Sequence, residues 1–194
     1  MMDAPLLITG IIEHAAVAHA DTEVVARDVG SNIHRYSYAT ALERCRRLSA
    51  ALETLDLSAG DRVGSLAWNT HHHFELFYGV AGQGFVLHTI NPRLHEDTLV
   101  TIINHAEDKW IFIDAATLKL AESLAPRLPM VRGWIFMDPD TDLPETSLPN
   151  VVSYEMPDDV LFVDALPMTA SGKVKKTILR ETYHSYGQQA ARSN

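Results

Sequence analysis

The 194-residue sequence has one cysteine, Cys45, so an internal disulfide framework is excluded and a reducing, cytoplasmic setting is the expectation. It also lacks positive charge: 16 Lys and Arg against 25 Asp and Glu leave a net charge of −9. A nucleic-acid partner is thereby disfavoured, because phosphate contacts need clustered cations. No apolar stretch reaches the roughly 20 residues that span a bilayer. The opening "PLLITGII" is not read as a leader, since Asp3 stands where basic residues belong and Glu13 and His14 interrupt the run. Leu7, Ile8, Ile11, Ile12 and Ala15 recur instead at helical spacing. Internal repeats, low-complexity tracts and a G-x-S-x-G elbow are all missing.

What is present alternates. "EVVARD" (23–28) and "NIHRYSY" (32–38) predict two short strands about a turn at Val29, Gly30 and Ser31. Tyr38, Ala41, Leu42, Cys45, Leu48, Leu52 and Leu55 then mark a long helix with Cys45 on its buried side. Ser37 or Thr40 would cap it, Thr40 and Glu43 forming a capping box. "RVGSLAW" (62–68), "FVLHTI" (85–90), "KWIFID" (109–114) and "GWIFM" (133–137) are near-continuous apolar runs of the buried-strand kind. Helical patterns separate them: Phe74, Phe77, Tyr78 and Ala81 after a cap at Asn69 or Thr70; Leu99, Ile102, Ile103 and Ala106 behind Glu96 and Asp97; and Leu118, Ala121, Leu124 and Ala125. Strands alternating with helices predict βαβ crossovers, hence an α/β fold with a parallel sheet covered on both faces. "DPDTDLPETSLPN" (138–150) reads as a surface connection. Beyond it, 160–164 reads as a strand and 176–187 as a helix.

Three constellations invite chemistry without carrying it. His71, His72 and His73 fan out by about 100° each on a helix and cannot converge on one metal, so they are expected at a helix start on the solvent face. No metal site is expected elsewhere, His95 and His105 being ten residues apart without a carboxylate pattern. Gly82-Gln83-Gly84 precedes a strand, the wrong context for a dinucleotide loop.

The tail segment "LPMTASGKVKKTILRE" (166–181) is different. It is not a Walker loop, because Val174 follows Gly172-Lys173 and Leu166 stands where the leading glycine should fall. What remains is Thr169, Ala170 and Ser171 before a flexible Gly172 and Lys173. A lysine there is either a movable cation suited to a developing anionic oxygen, or a solvated charge before a helix.

Residues 60–114, "GDRVGSLAWNTHHHFELFYGVAGQGFVLHTINPRLHEDTLVTIINHAEDKWIFID", resemble the N-terminal region of AMP-forming fatty-acyl-CoA synthetases of the medium- and long-chain branch. "HTINPRL" and "INHAEDK" are especially specific to it. The tail "DDVLFVDALPMTASGKVKKTILRE" (158–181) resembles the closing motif of that family's small C-terminal domain. The resemblance implies a reaction joining fatty acid, ATP and CoA, with Mg2+, into acyl-CoA, AMP and pyrophosphate through an acyl-adenylate. It implies Lys173 as the adenylation lysine, with Thr169, Ser171 and Gly172 shaping its loop. It further implies that 1–155 form an incomplete part of the large domain and that 156–194 are a remnant of the small α+β domain.

The family's Ser/Thr/Gly-rich phosphate loop, its Tyr-Gly-x-Thr-Glu segment, the ribose-binding aspartate and the hinge have no counterpart here. The expected junction lies near Glu155-Met156, as an internal deletion, a spliced gene model or a natural remnant. Such a chain would have little independent activity and would expose faces meant for missing neighbours. Those faces suggest a homodimer, or association with a full-length synthetase through the N-terminal region.

Overall fold

The computed structural model describes residues 7–137 and 143–154, with residues 167, 178, 179 and 182. Contacts separate a unit Met1–Met156 from a unit Pro157–Asn194, and every element named below lies in the first. In chain order these are α1 (Thr9–Ala18), β1 (Glu23–Arg27), β2 (Ile33–Ser37), α2 (Tyr38–Leu52), β3 (Arg62–Leu66), α3 (His71–Gly82), β4 (Val86–Thr89), α4 (Glu96–Ala106), β5 (Trp110–Ile113), α5 (Leu118–Leu124), β6 (Gly133–Phe136) and β7 (Val151–Ser153). The strand expected at 160–164 falls outside the described residues; of the helix expected at 176–187, Ile178, Leu179 and Thr182 are described, and they are helical.

Strands β3 to β7 form one parallel sheet in the order β4-β3-β5-β6-β7. Its side chains alternate between two apolar layers, as period-2 geometry requires. Ile111, Ile113, Trp134 and Phe136 join Leu99 and Ile103 of α4 and Ala121 and Leu124 of α5. Phe112 and Ile135 face the other way, with Val63, onto Leu48 and Leu52 of α2 and Leu76 and Val80 of α3. Each such side chain, fully buried, contributes roughly 1.5–3 kcal/mol. The expected α/β class and covered parallel sheet are therefore present.

Strand β7 is a strand the apolar pattern did not announce. Three residues are too few to show a period, and the preceding Asn150 adopts φ 51° to turn the chain in. Its carbonyl accepts from Trp134 N, and its Nδ2 donates to Arg132 O at 2.9 Å.

The pair β1–β2 is a separate antiparallel hairpin, turning through Ser31 at φ 71°. Its small core is Ile12, Tyr36 and Ala41, flanked by Phe74 and Tyr78. The cap of α2 is Ser37, whose Oγ accepts from Thr40 N at 3.2 Å; the expected box from Thr40 to Glu43 does not form. Cys45 lies buried as expected, and burial pushes its thiol up to about 12.

Two expectations about α3 fail. The buried stripe is not Phe74, Phe77, Tyr78 and Ala81: Leu76 and Val80 meet the sheet, while Phe77 is 39% exposed. Gly79 lies against α2, where an added Cβ would come within 2.5 Å of Leu48 Cδ2. The histidines are also not solvent-facing, being only 7–8% exposed. The cover comes from several segments outside the helix: His34 of the hairpin lies on His71, Tyr154 on His72, and Ser65 and Trp68 beside His73, on faces that a single-stripe pattern assigns to water.

Candidate active-site cleft

In a parallel sheet, ligands gather beyond the carboxyl ends of strands, where neighbouring strands send their chains in opposite directions. Here that point lies between β3 and β5, since the chain leaves β3 through α3 to β4 and re-enters on the other side as β5. The gap itself is stitched. Asp114 Oδ2 accepts from Trp68 N at 2.7 Å, and Oδ1 accepts from Thr117 N and Oγ1 at 3.0 and 3.1 Å. With Asp114 4% exposed and both oxygens engaged, this carboxylate positions two loops and is not available to a metal.

The open space is displaced by one strand, to the ends of β3 and β4. A cavity of about 320 Å³ is lined by Ala67, Trp68, Asn69, His73 and the segment Thr89 to Arg93. The Arg93 guanidinium stands 4.9 Å from the centre of the Trp68 ring. Asn91 Oδ1 accepts from Arg93 N at 3.0 Å, holding the turn that carries the cation. An aromatic floor with a guanidinium above it suits a planar or anionic group.

His73 bridges cleft and core. One ring nitrogen lies 3.4 Å from Trp68 O and the other 3.4 Å from Ser65 Oγ. Burial lowers its pKa, so the imidazole is neutral at pH 7. Ser65 is wholly buried beneath it and cannot meet a substrate as a nucleophile. The cleft can bind and orient; it holds no base aimed at an accessible nucleophile.

A second polar group crosses the core. Arg44 donates to both oxygens of Glu75, at 2.6 and 3.2 Å, and Tyr154 Oη donates to Glu75 Oε2 at 3.1 Å. Glu75 is 0% exposed, so the pair is a structural clamp joining α2, α3 and the end of β7. The three histidines do not all fan apart as expected: the His71 and His72 rings lie 3.9 Å from each other. His71 stacks on His34, His72 meets Tyr154 edge-on, and His73 stacks on Phe77.

Among the described residues no group of three or more His, Cys, Asp or Glu is placed to hold a metal. His95 sits exposed at the start of α4, its Nδ1 accepting from Asp97 N, and His105 is exposed near that helix's end. Lys173, Thr169, Ser171 and Gly172 lie outside the described residues. The cleft residues Trp68, Asn69 and Arg93 were missed by sequence reasoning, although the Asp114 and Thr117 pair is a readable Asx-type turn.

A family model described as "AMP-binding enzyme" matches residues 12–178. A 3-methylmercaptopropionyl-CoA ligase of Ruegeria lacuscaerulensis is 39% identical over 80% of this chain and 29% of its own length. A medium-chain-fatty-acid–CoA ligase of Ectopseudomonas oleovorans is 35% identical over 80% of this chain and 28% of its own. A long-chain-fatty-acid–CoA ligase of Thermus thermophilus is 40% identical over 71% and 26%. Among solved structures, a Mycobacterium tuberculosis fatty acyl CoA synthetase superposes with TM-score 0.58 at 25% identity, over 67% of this chain and 26% of that one. The chain thus spans under a third of the relatives it matches. A match across most of its length, with relatives at 35% identity and above, establishes that the chain belongs to the AMP-binding enzyme family, among its acyl-CoA synthetases.

Proposed function

We propose that this chain is a piece of a fatty-acid–CoA ligase, whose whole reaction converts fatty acid, ATP and CoA to acyl-CoA, AMP and pyrophosphate through an acyl-adenylate. The observation that carries this reading is the family match over residues 12–178, which includes both the sheet and the lysine-bearing tail. In it, residues 1–155 are part of the large domain and 156–194 a remnant of the small one. Lys173 acts in adenylation, stabilising negative charge as the carboxylate meets the α-phosphate, on a loop shaped by Thr169, Ser171 and Gly172. The working compartment is the cytoplasm; no helix among the described residues is long and apolar enough to cross a membrane.

Alone, these 194 residues have little or no turnover. A magnesium triphosphate needs a cradle of backbone donors and a free carboxylate. The cleft does not fit that group: its neighbouring acid, Asp114, has both oxygens committed. Calorimetry with ATP and Mg2+ tests this directly. Little or no heat is expected, and binding that weakens in Lys173→Ala would show that the chain keeps a working adenylation site.

A second reading is that the chain serves as a non-catalytic module pairing with itself or with a full-length synthetase. It is favoured by apolar surface on the N-terminal helix and its approach, where Leu7, Ile11 and Val17 are 62%, 61% and 85% exposed. Co-purification with an intact synthetase supports it; a monomer that captures none contradicts it.

A further inference from the structure

The hairpin β1–β2 meets α3 through rings. His34 of β2 stacks on His71 with centroids 3.7 Å apart and planes 11° apart; His71 lies 3.9 Å from His72; His72 meets Tyr154 at 5.2 Å. Tyr36 closes the near end, 4.9 Å from His34. His34 Nε2, His71 Nδ1 and His72 Nδ1 are buried without a hydrogen-bond partner. Such orphaned nitrogens call for a physical reason. A shared metal is not one, because the nearly parallel stacked rings of His34 and His71 aim their lone pairs along separate planes and not at a common point.

Charge supplies the reason. Facing the stack from α2 are the Arg44 guanidinium and the neutral Cys45 thiol; from α3, Glu75; from beyond β7, Tyr154; and from the hairpin, Asp28 and Tyr36. Both candidate anions are spent. Glu75 already accepts from Arg44 and Tyr154, and Asp28 accepts from the backbone and side chain of Asn32. A proton entering the stack therefore places a cation against two further imidazoles and an arginine, and only the Asp28 carboxylate, already bonded to Asn32, acts the other way on His71. Burial, reinforced by these cationic neighbours, lowers His71 to about 4 and His72 to about 3.

We propose that the contact between β1–β2 and the start of α3 is an acid-sensitive latch, in which protonation of His71 and His72, packed against the His34 ring, releases the hairpin while the five-stranded sheet stays folded. The hairpin is a separate sheet with a core of only three buried residues, and a two-stranded hairpin is marginal without its support. The latch thus joins the least supported element to the rest of the unit through groups that acid alone alters.

Hydrogen exchange of the full 194-residue chain at about pH 7 and about pH 5, scaled for intrinsic amide rates, tests the latch. Residues 23–37 are expected to lose about tenfold or more of their protection at the lower pH, while β3, β5 and β6 keep theirs. His71→Phe, which keeps a ring without a titratable nitrogen, should abolish much of that loss, as should His72→Phe. Should either variant fail to fold, the imidazole proton resonances of the unaltered chain provide the check: hairpin opening must track their titration. The latch is overturned if hairpin and sheet open together, if the hairpin is indifferent to pH, or if its opening does not follow the histidine titration or persists in the folded variants.

Discussion

His88 Nδ1 and Asp108 Oδ2 lie 2.7 Å apart, and this one contact ties together "HTINPRL" and "INHAEDK", the two segments that carry the likeness to fatty-acyl-CoA synthetases. His88 sits on the edge strand β4 and Asp108 at the entry to β5, on opposite sides of β3. The aspartate is 0% exposed. The contact therefore braces the edge strand whose continuation, Thr89 to Arg93, lines the cleft.

Asp108→Ala should leave His88 without its acceptor and destabilise the fold by about 1–3 kcal/mol. Urea denaturation followed by circular dichroism measures it. A change within about 0.5 kcal/mol, the range of ordinary surface substitutions, would mean that the pair braces nothing.

Glu75→Ala should cost more, about 3–5 kcal/mol, because it strands the half-buried Arg44 guanidinium. Replacing both charges, as Arg44→Met with Glu75→Leu, should recover much of that loss. A double variant as unstable as the single one would show that packing, not the uncompensated charge, sets the cost.

Acid should weaken the fold through His71 and His72. Their folded pKa values lie below the usual 6.5, at about 4 and about 3, so the unfolded chain binds more protons between those limits. Stability is then fully present above about 6.5 and falls as pH drops toward 4, by at most about 1.4 kcal/mol per pH unit for each histidine. Denaturation midpoints across that range check the slope, which should shrink in His72→Leu.

Gly133→Ala should be poorly tolerated. An added Cβ would stand 2.3 Å from Trp110 Cζ3 and 2.7 Å from Asn150 O, where backbone cannot yield. A loss of about 1–3 kcal/mol is expected, read as a lower melting temperature. An unchanged melting temperature would show that Trp110 moves freely, against its packing on the core.

The sheet was legible because "WIFI" and "GWIF" are apolar on both faces and flanked by helical periods. The enclosure of α3 was not, since His71, His72 and His73 are polar by type and their cover comes from outside the helix, from His34 of the hairpin, from Tyr154, and from Ser65 and Trp68. The cleft was equally hidden: Trp68 and Arg93 meet only because β3 and β4 pair in register, and no local pattern encodes that. Lys173 could be given a role through the family likeness, whereas its own surroundings allow a solvated charge just as well.

On the proposed reading, Lys173 serves a triphosphate that the cleft among the described residues is not built to hold. Fatty-acid-dependent exchange of labelled pyrophosphate into ATP reads the first half-reaction directly. The purified 194-residue protein should give no exchange above that of Lys173→Ala. Exchange at a rate comparable to an intact synthetase, lost in that variant, would contradict the claim.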